Sequence, residues 1–249
     1  MTNEATPRPA RPTWSERLGR ITEAIRSLPK PVRVVAVTSV GGVVLLAGVA
    51  MLVLPEFDDP PREPMPLVRA WFDAARERGL REPFAATLAT VDEHGDPRTR
   101  TVLLKTVDEQ GLVFGSSTTS RKGRHLAARP RAALTVYWRE TLQQVNVTGS
   151  VEVLPDDVAD ALFTRRTRDA QAATAASRQS RPLSSEPDLR AEAARLAAAD
   201  GPVPRPADWV AYRVVPDAVE LWYGSPDRLH RRLQYVRTGT TWEPTRLQP

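Results

Sequence analysis

Hydrophobic positions along the chain follow three different patterns. Residues 34–54 (VVAVTSVGGVVLLAGVAMLVL) run for 21 positions without a charge, the length that carries a helix across the core of a bilayer. The stretch is too long and lies too late for a signal-peptide core, so it predicts a single membrane-spanning helix. A buried β-branched strand is the alternative. Ahead of it, residues 14–28 place Leu18, Ile21 and Ile25 on one helical face among basic residues, as in a helix lying on a membrane surface. Residues 55–66 are rich in proline and acid, which stops a helix and marks a linker.

From Met65 onward the period changes and turns appear. Leu67, Val68, Trp71, Phe72 and Ala75 line one side of a helix over 67–78 with Gly79 as its C-cap. Short strands follow at 84–91, 99–106 and 112–115, separated by the turns DEHGDP (92–97) and DEQG (108–111). Ser120 caps a helix that runs to 128 and stops before Pro130. Strands at 132–138 and 145–153 pair around Glu140 and Thr141. Helices are expected at 155–165, with Pro155 at its first position, and at 187–199. Strands over 209–215, 219–223, 232–236 and 241–247 close the chain. This pattern predicts an α+β domain, an antiparallel barrel with helices packed outside. The expected organisation is a basic tail over 1–30, a hydrophobic transmembrane segment over 31–54, a linker over 55–66 and the barrel domain over 67–249.

Composition narrows the chemistry. With 41% hydrophobic and 26% charged residues, the chain has the apolar content of a globular protein rather than a disordered one. The absence of cysteine excludes disulfides, thiolate catalysis, iron–sulfur clusters and Cys-ligated zinc. A net charge of +5 is small for a nucleic-acid binder and suits capture of a small anion. Of the 35 cations, eight lie before Met65. Seven of those precede residue 34, whereas Glu56, Asp58, Asp59 and Glu63 follow the hydrophobic segment. By the positive-inside bias this arrangement keeps the N-terminus in the cytoplasm and sends the barrel across.

The three histidines, His94, His125 and His230, have no metal-ligand spacing, so no metal site is expected. The sequence also lacks a Gly-rich phosphate loop and a G-x-S-x-G elbow. Basic clusters beside apolar strands are present instead. Arg98, Arg100 and Lys105 flank one strand. Ser120, Arg121, Lys122 and Gly123 open a helix, combining backbone N–H groups, a hydroxyl and two cations in a design suited to a phosphate dianion. Arg228, His230, Arg231 and Arg232 form a third cluster near Trp222. Each cluster alone is more often a solvated face. Together with Gln143, Gln144, Gln179 and Ser180 they point to an anionic ligand with polar ring edges.

The runs RTVLLK (100–105), GSSTTSRKGRHLAARPRAAL (115–134), WRETLQQV (138–145), SRQS (177–180), GPVPRP (201–206) and ELWYGSPDRLHRRLQY (220–235) resemble the pyridoxamine 5′-phosphate oxidase family in unbroken order from about residue 55 to the end. The resemblance implies an FMN-binding split β-barrel and a homodimer with two flavins at the subunit interface. It implies an FMN shell of Arg100, Thr101, Val102, Leu103, Leu104, Lys105, Gly115, Ser116, Arg121, Lys122, Gln144, Gln179, Ser180, Trp222 and Arg232. The substrate phosphate maps to Lys105 and Arg166, and the substrate ring and reacting carbon to the catalytic pair Arg228 and His230. The implied reaction passes a hydride from the C4′ carbon of pyridoxamine or pyridoxine 5′-phosphate to flavin N5, giving pyridoxal 5′-phosphate, with O2 reduced to H2O2.

Some positions depart from that pattern. Leu162 and Ala170 stand where the vitamin B6 enzymes carry a Tyr and a Ser at the substrate phosphate. The run PEFDDPP (55–61), the run WRETLQQ and the ending RLQP are closer to the phenazine-biosynthesis branch, which oxidises reduced tricyclic rings with the same cofactor. Lys105 favours a phosphorylated substrate. A third reading is a membrane-tethered flavin protein without oxidase activity. Because the implied cofactor and substrates are cytoplasmic, the catalytic domain is expected in the cytoplasm, against the positive-inside topology. A natural start at Met51 or Met65 reconciles the two.

Overall fold

A computed structural model describes residues 54–249. The expected tail, surface helix and membrane span over 1–53 lie outside the described residues. Among the described residues no helix is long and apolar enough to cross a membrane. The chain divides into the units Met1–Pro61 and Arg62–Pro249. In the first, the proline- and acid-rich stretch holds a short helix, α1 (Pro55–Asp58), where only a linker was expected.

The second unit begins with α2 (Pro64–Glu77), which buries Leu67, Val68, Trp71, Phe72, Ala74 and Ala75 on one stripe. Its cap is Arg78, one residue before the expected glycine. Gly79 follows at φ +66°, with its N–H on the Arg76 carbonyl and the Leu80 N–H on that of Ala75. This left-handed turn is what makes glycine the favoured residue there. Phe72 sits 5.4 Å from Phe84 and 5.0 Å from Trp138, centroid to centroid, so α2 packs against one end of the sheet.

Eight antiparallel strands follow: β1 (Ala85–Val91), β2 (Pro97–Asp108), β3 (Gly111–Ser117), β4 (Arg131–Trp138), β5 (Gln143–Val153), β6 (Trp209–Tyr223), β7 (Arg231–Thr238) and β8 (Thr241–Leu247). Their order is β3-β2-β1-β4-β5-β6-β7-β8, and a β3–β6 pairing closes the first six into a barrel. Inward residues alternate along each strand, as the two-residue period requires: Ala132, Leu134, Val136 and Trp138 on β4 are all buried. The helices α3 (Arg121–Ala128), α4 (Asp156–Thr164), α5 (Arg168–Ala176) and α6 (Glu186–Ala198) lie in the connections. Pro155 is the N-cap of α4 rather than its first residue.

The expected strands at 209–215 and 219–223 are one element. Pro216 looks like a breaker because it cannot donate to a ladder. Pairing of β6 with β3 ends at Val214 and pairing with β7 starts at Ala218, so Pro216 falls between two partners on that edge. On the other edge β5 shifts register between Thr148 and Gly149. A Cβ on Gly149 would stand 1.9 Å from the Val215 carbonyl oxygen.

Candidate active site

The expected site residues gather into three groups. The first surrounds the start of α3. Ser120 is its N-cap and accepts the Gly123 N–H at 3.1 Å, and a Cβ on Gly123 would lie 2.3 Å from the Thr118 carbonyl oxygen. Lys122 is buried and donates to Gln179 Oε1 at 3.0 Å, which also accepts from Ser116 at 3.2 Å. Arg100 donates from Nη1 to the Leu88 carbonyl and to Thr90 Oγ1. Burial, and secondly the charge of Arg100, bring the Lys122 ammonium down to about 8. The backbone N–H groups were expected to be free for an anion, and in part they are not. The Arg121 N–H donates to Ser180 Oγ at 3.1 Å and that of Gly123 is taken by Ser120. The N–H groups of Arg121 and Gly123 are thus engaged within the protein.

The loop that delivers Gln179 and Ser180 lies between α5 and α6. Arg168 on α5 fastens this hairpin, donating to the Ala197 carbonyl at 2.5 Å and to that of Gly201 at 2.7 Å. The entry to α3 is fixed from the other side: Asp208 Oδ2 accepts from Ser117 Oγ at 2.6 Å and Thr119 Oγ1 at 2.8 Å. These hydroxyls, the Ser117 bond foremost, hold the Asp208 carboxyl below its ordinary value. A depressed folded-state value means stability that is present above the unfolded value of 3.8 and lost as pH falls below it. Asp208→Asn should therefore flatten the acid limb of the protein's melting temperature below about pH 4. An unchanged acid limb would remove Asp208 from this role.

The second group links Gly115 to Lys105 through Trp209. The indole of Trp209 covers Gly115 so closely that a Cβ there would stand 2.2 Å from the ring. Phe163 meets the same indole edge-on at 5.2 Å, and the Arg166 guanidinium lies 5.5 Å from the Phe163 ring centre and 5.4 Å from that of Trp209. Burial lowers Lys105, aided by the charges of Arg166 and Arg165. Gly115→Ala is expected to displace the indole and cost about 1–3 kcal/mol of stability, read as a lower melting temperature. Full stability would show that the indole has room to move. Trp209 was not anticipated, since nothing in its sequence neighbourhood marks it as the platform beneath Arg166. Leu162 is buried in the cluster with Phe163 and Trp209.

Along β2, Val102 and Leu104 are buried while Thr101 and Leu103 face outward. The Val102 and Leu104 side chains thus belong to the core, and the Leu104 N–H donates to the Phe84 carbonyl at 2.9 Å. The strand connects Arg100 in the first group to Lys105 in the second.

The third group lies elsewhere on the barrel. Gln144 on β5 pairs with Trp222 on β6, which pairs with Arg232 on β7. His230 lies 4.8 Å from the Trp222 ring, and its Nδ1 accepts the Ser225 N–H at 3.1 Å. Arg228 is exposed with a φ of +68°. Arg232 is engaged by Glu220, Nε to Oε1 at 2.8 Å, so it is less available than the sequence suggests. Gln144 and Arg100 stand on strands three apart, about 14 Å along the sheet at the usual strand spacing. Within one chain, then, the third group and the first stand three strands apart around the barrel. Among the described residues no cluster of His, Asp or Glu could hold a metal.

Comparison with known proteins identifies the family. The family model described as pyridoxamine 5′-phosphate oxidase matches residues 72–223, and the pyridoxine 5′-phosphate oxidase C-terminal dimerisation region matches 209–249. A dihydrophenazinedicarboxylate synthase from Burkholderia lata is 41% identical over 204 residues, covering 82% of this chain and 96% of that protein. A pyridoxine/pyridoxamine 5′-phosphate oxidase from Thermosynechococcus vestitus is 44% identical over 192 residues, covering 77% and 91%. Among solved structures, PhzG from Burkholderia lata 383 in complex with tetrahydrophenazine-1-carboxylic acid matches with a TM-score of 0.77 at 41% identity, covering 79% of this chain and 98% of the other. A barrel of this topology, matched by the family model over most of its length, makes the chain a member of the pyridoxamine 5′-phosphate oxidase family.

Proposed function

We propose that the chain is an FMN-dependent oxidase in which two copies together complete each active site. The observation that carries this reading is a set of cations with no acidic partner among the described residues. They are Arg100, Arg121 and Lys122 at the start of α3, and Lys105 with Arg166 at the far end of β2. Arg100, Lys105, Lys122 and Arg166 are partly withdrawn from water and Arg121 adds a like charge beside Arg100; such groupings oppose folding. A site that takes up anions is a physical reason to keep them.

The donor set fits FMN. The first group offers three cations to a phosphate ester, the amides of Gln144 and Gln179 suit polar ring edges, and Trp222 supplies an aromatic surface. Bound FMN would supply the hydride acceptor and the electron route to O2, which leaves as H2O2. The remaining work falls to the chain. Lys105 and Arg166 hold the acidic end of the substrate, with the Arg166 guanidinium within 5.5 Å of the Phe163 and Trp209 ring centres. His230 accepts a backbone N–H at Nδ1, so its neutral ring carries the proton on Nε2 and presents it as a donor. With Arg228 it orients the substrate ring beside Trp222. Since the third group is three strands from the first in one chain, and its Trp222, Arg228, His230 and Arg232 lie in the segment matched as a dimerisation region, a homodimer brings the two groups together.

The substrate read first is pyridoxamine or pyridoxine 5′-phosphate, oxidised to pyridoxal 5′-phosphate. A second reading, a reduced phenazine carboxylate, is favoured by a specific observation. Leu162 is packed in the core and Ala170 has no donor, so neither adds a hydroxyl beside Arg166. Two missing neutral hydrogen bonds cost roughly 1 kcal/mol each for a phosphate. A carboxylate has fewer oxygens to satisfy. Oxygen uptake by the FMN-loaded protein separates the two: turnover with the B6 phosphates supports the first reading, and turnover only with a dihydrophenazine carboxylate supports the second. Flavin retained without uptake on either leaves the flavin-protein reading instead.

A further inference from the structure

One buried histidine has no part in the account so far. His125 on α3 is 5% exposed, and Thr90 at the end of β1 is 2% exposed. Their side chains meet across the space between helix and barrel, Thr90 Oγ1 to His125 Nδ1 at 3.0 Å. The same hydroxyl oxygen accepts from Arg100 Nη1 at 2.7 Å. A guanidinium can only donate, so Thr90 receives one hydrogen bond from Arg100 and has one proton of its own to place. Nδ1 of His125 is positioned to take that proton, which puts the ring's own proton on Nε2. With Nη1 also bonded to the Leu88 carbonyl at 3.2 Å, two residues of β1 grip one edge of the guanidinium. The Nε and Nη2 edge has no hydrogen-bond partner among the described residues and is left for an anion.

We propose that His125 is a positioning residue. Acting through Thr90, it fixes the orientation of Arg100 and thereby the cationic edge that binds the cofactor phosphate. The inference rests on the flavin reading above. The relay is directional: His125 accepts from Thr90, and Thr90 accepts from Arg100. Without the imidazole, Thr90 turns its hydroxyl proton elsewhere, and a hydroxyl free to rotate no longer holds Arg100 in one place. The imidazole also lines a cleft of about 400 Å³ between the 92–94 turn and α3, bordered by Asp92, Glu93, His94, Arg121 and Arg124. Substitutions at His125 can therefore relax toward open space rather than into the core.

Two measurements on the full chain test this. The first needs no ligand: with only three histidines, nitrogen-15 NMR resolves the His125 ring. The expected result at pH 8 is a protonated Nε2 and a hydrogen-bonded, unprotonated Nδ1 whose resonance moves in Thr90→Val and in Arg100→Gln. A protonated Nδ1, or a resonance indifferent to both changes, overturns the relay. The second is the dissociation constant for FMN, followed by quenching of flavin fluorescence. Thr90→Val and His125→Leu should each weaken binding by about 3–10-fold. The double variant should be no weaker than either alone. His125→Asn, which restores an acceptor at the Nδ1 position, should return affinity to within about twofold. Wild-type affinity in His125→Leu, multiplied losses in the double variant, or an Asn variant no better than Leu would each overturn the proposal. If the wild-type chain retains no FMN, the flavin reading fails, and the NMR result alone decides the relay.

Discussion

Alanine at His230 or Arg228 should lower kcat by about 100-fold and leave bound FMN in place, because misorientation of a substrate by about an ångström costs that much. Both residues sit on the loop between β6 and β7, and the loop is built before any substrate arrives. The Ser225 N–H holds the imidazole, and Asp227 accepts from the Leu229 N–H at 2.9 Å and from the Ser225 hydroxyl. Gly224 opens the loop where a Cβ would meet the Trp222 ring at 2.9 Å and Leu142 Cβ at 3.0 Å. Arg228 at φ +68° occupies a region that costs a side chain about 1–3 kcal/mol. Strain retained at an exposed, unpaired arginine suggests a role in function. Arg228→Gly separates the two effects: its melting temperature should equal or exceed wild type while kcat falls as in Arg228→Ala. Stopped-flow flavin reduction under anaerobic conditions reads the step directly. Loss of flavin from these variants would mean they belong to the cofactor site.

The second large effect concerns Lys122. Lys122→Met should weaken FMN binding by about 10–100-fold, the worth of a charge-assisted hydrogen bond to a buried anion. The pH dependence gives the sign. Burial and Arg100 keep the free-protein ammonium at about 8 instead of 10.5, and a bound phosphate dianion pulls it back up. Below pH 8 the charge is already present. Above it, binding requires uptake of a proton, so affinity should fall by up to about tenfold per pH unit. Lys122→Arg should abolish that slope, because arginine stays charged. A wild-type affinity that is flat from pH 7 to 10 would place the phosphate elsewhere.

Strand after strand was legible from alternation, and so was α2, because Leu67, Val68, Trp71 and Phe72 recur at helical spacing. The helix α5 was not. Its sequence RDAQAATAA buries only Ala172 and has no apolar stripe, so only the capping Thr167, whose side chain accepts the Ala170 N–H, could have marked it. The split reading of β6 fails at Pro216, whose place in the strand depends on which neighbours stop and start pairing there. Cation clusters were visible as runs of Arg and Lys. Their supports were not: Asp208 clamps hydroxyls about 90 residues away, Trp209 covers Gly115, and Thr90 joins Arg100 to His125, all through tertiary contacts. Nor could a linear sequence reveal that Gln144 on β5 stands three strands from Arg100 on β2 within a single chain.

The most direct test of the account is the flavin content of the full chain after reconstitution with FMN and removal of excess ligand. The expected result is a yellow dimer holding one FMN per chain, two per dimer, with flavin lost in Lys122→Met and retained in His230→Ala. A colourless protein, or a monomer that binds flavin at full affinity, would contradict it.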